Sequence, residues 1–93
     1  MAVQKYKLQY KKSVEKDLRK LPPAQLKAIV AKIQKSASDP RAQDAVKLRG
    51  SSDLYRVRSS EYRIIYRVQD DLLIVLVVKV GHRRETYRGI GTS

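Results

Sequence analysis

Four arginines recur at short intervals in the second half of this chain: Arg56, Arg58, Arg63 and Arg67. Arg56 and Arg58 are two apart within residues 54–58, and Arg63 and Arg67 flank Ile65 within residues 62–68. In an extended strand, residues two apart share a face. Each pair therefore lies on one side of its strand. Tyr55 and Val57, then Tyr62, Ile64, Tyr66 and Val68, take the other side. A guanidinium presents a planar fork of donors that matches two phosphate oxygens, so such an array suits phosphate recognition. Residues 72–80 follow, apolar at every position except Lys79, and read as a central strand covered on both faces. The chain then leaves that strand through Gly81-His82-Arg83-Arg84-Glu85-Thr86-Tyr87. This segment supplies cations, an imidazole and a phenol. It is the candidate site.

Charge points the same way. The chain of 93 residues carries a formal net charge of +12, which marks a polyanion such as nucleic acid as the expected partner. Its two halves differ. Residues 1–46 hold nine lysines and two arginines against four acids; residues 47–93 hold two lysines and eight arginines against five. The lysine-rich half reads as solvated helices. The arginine-rich half reads as a phosphate-binding surface, with protection of sheet edges by charge as the plainer account.

The elements that must position these groups can be drawn from periodicity. Residues 4–10 alternate, with Tyr6, Leu8 and Tyr10 on one side, and predict a first strand. Val14, Leu18 and Leu21 form the stripe of a short helix, with Ser13 as its expected cap. Pro22-Pro23 ends that helix and starts the next, whose stripe is Leu26, Ile29, Val30 and Ile33 and which ends near Ala37, before Pro40. Residues 41–50 read as a loop. Turns at residues 59–61 and 69–71 divide the remainder into three strands. The expected fold is α+β: a two-layer β-α-α-β-β-β domain with a helix hairpin on a mostly antiparallel four-stranded sheet. A chain of this length predicts one domain, with residues 88–93 as a flexible tail.

One histidine, no cysteine and carboxylates scattered in turns offer no ligand set for a metal, so no cofactor is expected. The absence of cysteine fits a reducing compartment. No apolar run is long enough to span a bilayer. The expected location is the cytoplasm, with no membrane partner.

Four fragments carry a resemblance to a known family: Lys-Leu-Arg-Gly at 47–50, Tyr-Arg-Val-Arg at 55–58, Ser-Glu-Tyr-Arg-Ile-Ile-Tyr-Arg-Val at 60–68 and Val-Gly-His-Arg-Arg-Glu-Thr-Tyr at 80–87. Their order and spacing resemble the RelE branch of the RelE/ParE superfamily, the toxins of bacterial toxin–antitoxin pairs. The resemblance covers nearly the whole chain. It implies an endoribonuclease that enters the ribosomal A site and cuts mRNA there. It also implies a RelB-like antitoxin as partner, with operator DNA bound only through the toxin–antitoxin complex.

The resemblance maps the family's site onto Arg56, Arg58, Arg63, Arg83 and Tyr87, with His82 in reserve and Lys47, Arg49, Arg67 and Arg84 as RNA contacts. Members of the branch often carry lysine where this chain has Arg56 and Arg58. Cutting RNA through its own 2′-hydroxyl needs a base, stabilisation of the phosphorane and an acid for the 5′-oxygen. Arginine stays protonated up to about pH 12, so Arg56 and Arg58 stabilise charge and are poor bases. His82, Tyr87 with its pKa lowered by neighbouring cations, and positioning by the ribosome are the open sources of proton transfer. Two rival readings stand beside this one. One is a ParE-type inhibitor of DNA gyrase. The other is a catalytically weak binding module that acts as corepressor with its antitoxin.

Overall fold

Two prolines divide the helical layer. Pro22 takes the cap position of the second helix and Pro23 its first turn, where proline's missing N–H has no intrahelical partner to lose. The computed structural model describes residues 6–42 and 44–82. In chain order the elements are β1 (Lys7–Tyr10), α1 (Lys12–Arg19), α2 (Pro23–Ser38), β2 (Val46–Lys47), β3 (Leu54–Ser59), β4 (Tyr62–Gln69) and β5 (Ile74–His82). Both helices lie where their stripes predict. Ser13 is not the cap of α1. Lys11 takes that position without a side-chain hydrogen bond, because the Lys11 N–H is already committed to Val77 O at 3.0 Å and the chain turns into the helix directly from the sheet.

The sheet has five strands, not four, in the order β1-β5-β4-β3-β2. β1 runs parallel to β5 and the other pairs are antiparallel. The added strand lies in the segment read as a loop: Val46 pairs with Arg56 and Lys47 with Tyr55. β5 also differs from its expected bounds. Leu72 and Leu73 belong to the preceding turn, 60% and 48% exposed, and Gly81 does not break the strand, which continues to His82.

Two apolar clusters form on opposite sides of the sheet. Under the helices, Val14, Ile29 and Ile33 pack on Tyr6, Val57, Ile64, Tyr66, Val68, Val75, Val77 and Val80. On the other side a small cluster joins Leu48, Leu54 and Ile65, with Val78 against it. No helix among the described residues is long and apolar enough to cross a membrane.

Candidate active site

β3 and β4 bring the arginines together. Arg58 is directly opposite Arg63, Arg56 is opposite Ile65, and Leu54 is opposite Arg67. Cross-strand partners point to the same side of a sheet, so all four arginines share the face that bears Leu54 and Ile65. That is the face away from the helices, as the alternation predicts. Backbones of opposed residues lie about 5 Å apart in an antiparallel pair, so Arg58 and Arg63 place two cations within reach of one phosphate. The Nε atoms of Arg56 and Arg63 are shielded from solvent. Burying a long stem while the cationic head stays at the surface is the ordinary way arginine covers an apolar patch.

β5 determines what stands beside this pair. Ile65 pairs with Lys79 but Tyr66 pairs with Val77, so Val78 is an extra residue in β5, a β-bulge. Before the bulge Val75 and Val77 enter the main core; after it Val80 does. The core-facing positions thus change from odd to even. Gly81 comes opposite Arg63, on the arginine face, and His82 comes opposite Tyr62, on the helix face. The His82 ring meets the Tyr62 ring edge-on, 5.9 Å between centroids. Both rings line a cavity of about 410 Å³ with Asp17, Lys20 and Leu21. Lys79 Nζ lies 3.8 Å from Asp17 Oδ2 at its rim.

The remaining predicted contacts are spread around the domain. Arg67 Nη1 donates to Asp53 Oδ2 at 3.2 Å, which engages it in the sheet's own structure. Lys47, in register with Tyr55, falls on the helix side. Arg49 is exposed in the turn before β3, beside Gly50, whose φ of +82° suits glycine. Arg83, Arg84, Tyr87 and the tail 88–93 lie outside the described residues. Among the described residues no group of three potential metal ligands is present.

A second cluster of chemistry-bearing side chains gave no sequence signal. Arg41 donates to both carboxylate oxygens of Asp70, at 3.1 and 2.6 Å, and its Nε donates to Tyr55 Oη at 3.0 Å. Tyr6 Oη also donates to Asp70, at 2.6 Å. That bond raises the Tyr6 pKa and keeps the phenol protonated, and the Asp70 bond likewise raises the already high pKa of Arg41. Beside it, Tyr66 Oη donates to Pro40 O at 2.6 Å. These contacts tie the N-terminal segment, the loop after α2 and the β4–β5 turn together. They lie at the end of β4 away from Arg63, and their partners are too far apart in sequence for spacing to reveal.

A helix hairpin on a mixed sheet, with an arginine-bearing open face, defines a small basic two-layer domain suited to bind phosphate. Comparison with known proteins gives that class its family. The sequence model of the family described as the ParE toxin of type II toxin–antitoxin systems, parDE, matches residues 8–87. The mRNA interferase toxin RelE of Escherichia coli is 35% identical over 83 residues, covering 87% of this chain and 86% of that protein. The crystal structure of the isolated E. coli RelE toxin superposes with a TM-score of 0.75 at 32% identity, over 83% of each chain. The toxin fold of an archaeal RelE–RelB complex from Pyrococcus horikoshii gives 0.77 at 29% identity, over 88% of this chain and 99% of that one. The chain belongs to this family of type II toxin–antitoxin toxins, as a toxin of the RelE type.

Proposed function

We propose that this toxin is a ribosome-dependent endoribonuclease that cuts mRNA in the A site, without a metal, by attack of the RNA 2′-hydroxyl on the adjacent phosphorus. The O2′–P bond forms and the P–O5′ bond breaks. The observation that carries the reading is the direct cross-strand pairing of Arg58 with Arg63 on the face turned away from α1 and α2. The name of the E. coli relative, an mRNA interferase, supports it. Two fixed cations aimed at one phosphate stabilise the charge that builds on its oxygens, and a single such donor is commonly worth about 10²–10³ in rate. Arg56, one step along the same face, holds the next stretch of backbone.

The phase of β5 supports the choice of the remaining groups. The resemblance to the family assigns Arg83 to complete the phosphate clamp. Arginine cannot serve as base, and His82 is directed to the helix side. Tyr87 is therefore the proposed proton carrier, with ribosomal positioning supplying the rest. A RelB-type antitoxin is the proposed partner, as in the solved RelE–RelB complexes of relatives. Neutralising a charge of +12 calls for an acidic segment that folds on the toxin.

The test is mRNA cleavage in a purified translation system, mapped by primer extension. Cuts at A-site codons that require ribosomes are the expected result. Folded protein that cuts no RNA with or without ribosomes overturns the reading. Because the matching family bears the ParE name, a gyrase supercoiling assay is run on the same sample.

A further inference from the structure

Among the described residues Gly81 is the only glycine inside a strand. Glycine loses more conformational freedom on folding than any other residue and weakens a strand relative to alanine, so its place there needs a cause. The ordinary causes fail. Its backbone is not left-handed: among the described residues the glycine with positive φ is Gly50. It is not the bulge, since the register shift falls between Ile65 and Tyr66 and the pairing runs evenly from Ile65↔Lys79 to Tyr62↔His82. Nor does it make room for the helices, because its register with Arg63 puts any side chain at 81 on the face turned away from them. The remaining cause is the close approach of a ligand or another chain.

The neighbours of Gly81 show what approaches. Arg58, Arg63 and Gly81 form one row across β3, β4 and β5. Among the described residues no strand extends that row, because β1 accompanies β5 only over Ile74–Val77. Two positions that carry guanidinium groups are thus followed by a bare one. Farther along the same face β5 is filled: Val78 packs against Leu48, Leu54 and Ile65, and Leu76 is in register with Arg67. Gly81 also keeps part of its surface exposed.

We infer that Gly81 is the floor of the seat for the scissile phosphate, and that its missing side chain sets how close the RNA backbone comes to the arginine pair. A side chain at 81 would begin about 5 Å from the Cβ of Arg63, level with the arginine stems rather than their charged heads. Without it, a sugar–phosphate backbone can descend beside Arg63 to the height of the main chain and meet both guanidinium groups from one side. Charge selects this occupant. The row offers two cations and no apolar group, which suits a phosphodiester and gives a protein partner no apolar or aromatic anchor to bury. That the seated phosphate is the one cut rests on the proposed nuclease function; that the row seats a phosphate does not.

The test compares Gly81→Ala and Gly81→Val with wild type, Arg63→Ala and the double variant Arg63→Ala/Gly81→Val. Thermal melts report folding. Anisotropy with a labelled single-stranded RNA of about eight nucleotides reports binding. Single-turnover cleavage on ribosomes reports the reaction. Gly81→Ala is expected to melt at the wild-type temperature or above it, since alanine restricts the unfolded chain at a φ it accepts. Valine suits a strand, so Gly81→Val also folds. Cleavage is expected to slow about tenfold in the alanine variant and about a hundredfold in the valine variant, with RNA affinity falling in the same order. In the double variant the valine adds no further loss to that of Arg63→Ala, because the two changes act on one contact. Undiminished cleavage and RNA affinity in folded Gly81→Val overturn the inference. So does a Gly81→Ala variant that loses activity along with a lowered melting temperature, which would make the glycine a packing requirement of the fold. Losses that add in the double variant overturn it as well. A wild type that cuts no RNA, beside an RNA affinity that falls in Gly81→Val only while Arg63 is present, leaves the seat standing and removes the nuclease reading.

Discussion

The two faces of the sheet are built by opposite rules. On the helix side, cross-strand partners are apolar against apolar: Val57 meets Ile64, Ile64 meets Val80, and Val68 meets Val75. These residues join the helices in one core whose central members are wholly buried. On the other side a cluster of three buried residues is bordered by arginines: Arg56 meets Ile65, Arg58 meets Arg63, and Arg67 meets Leu54. Like charges directly opposed across a ladder destabilise it, so the Arg58–Arg63 pair costs stability that the helix-side core must offset. Under the proposed function the difference divides the tasks: the helix-side face holds the fold and the arginine face binds the phosphate.

The strongest way to break this contrast is to remove one cation from the working face. Arg63→Ala is expected to lower ribosome-dependent cleavage by about 10²–10³ in protein that circular dichroism shows to be folded. His82→Ala, on the neighbouring strand but on the other face, is expected to leave kcat within about twofold. A large loss in the histidine variant, with folding intact, would show that the imbalance between the faces does not govern catalysis.

A subtler comparison uses neighbouring isoleucines. Ile64 and Ile65 are both 0% exposed yet point to opposite faces. Ile→Val at either is expected to cost about 0.5–1.5 kcal/mol in denaturant unfolding. Cleavage should separate them. Ile65 stands across from Arg56 and between Arg63 and Arg67 on their face, so shrinking it shifts the arginines and lowers kcat about two- to tenfold. Ile64→Val should leave kcat unchanged. Equal effects on cleavage would mean that the faces are mechanically coupled.

These contrasts were legible in the sequence only in part, and the reasons are physical. Residues 54–59 and 62–69 alternate polar and apolar, so their two faces declare themselves. β2 does not, because Val46–Lys47 is too short to have a period. The phase of β5 is hidden for another reason. Val75, Leu76, Val77 and Val78 are apolar at successive positions, and a strand covered on both sides carries no alternation, so the extra residue at Val78 leaves no mark. The face of His82 depends on that bulge, which is why its place beside Tyr62 appears only in three dimensions. The cap of α1 was misplaced because the pairing of Lys11 with Val77, a contact remote in sequence, fixes where the helix starts.

The helix-side face can be probed by pH. Burial first, then nearby carboxylates, raises the Tyr66 pKa far above the ordinary 10. The folded phenol therefore stays protonated where the unfolded one ionises. Stability from this group is complete below about pH 10 and falls as pH rises beyond it. Tyr6 and Tyr10 shift in the same direction. Tyr66→Phe removes the donor to Pro40 O and is expected to cost about 1–3 kcal/mol at neutral pH, while the alkaline decline becomes shallower. Urea unfolding at neutral pH and above pH 10 checks both. An unchanged alkaline slope in the variant would place the sensitivity elsewhere.

The smallest expected effect tests whether surface charge on the helix layer helps to hold the fold. Lys32 Nζ donates to Asp44 Oδ2 at 2.8 Å, with the two side chains 35% and 40% exposed. This bond holds the Asp44 carboxyl below its usual pKa. The sign follows: the pair stabilises the fold above the ordinary aspartate value near 4, and the contribution is lost as pH falls through the lower folded value. Because the pair is so accessible, it is worth about 0.2–1 kcal/mol at most and is screened by salt. Asp44→Asn should therefore shift urea unfolding by no more than that at low ionic strength, and by nothing measurable in high salt or acid. A larger, salt-resistant loss would mean that the helix layer depends on its few acids. It would then have to be held together against its own lysines by charge as well as by the core beneath it.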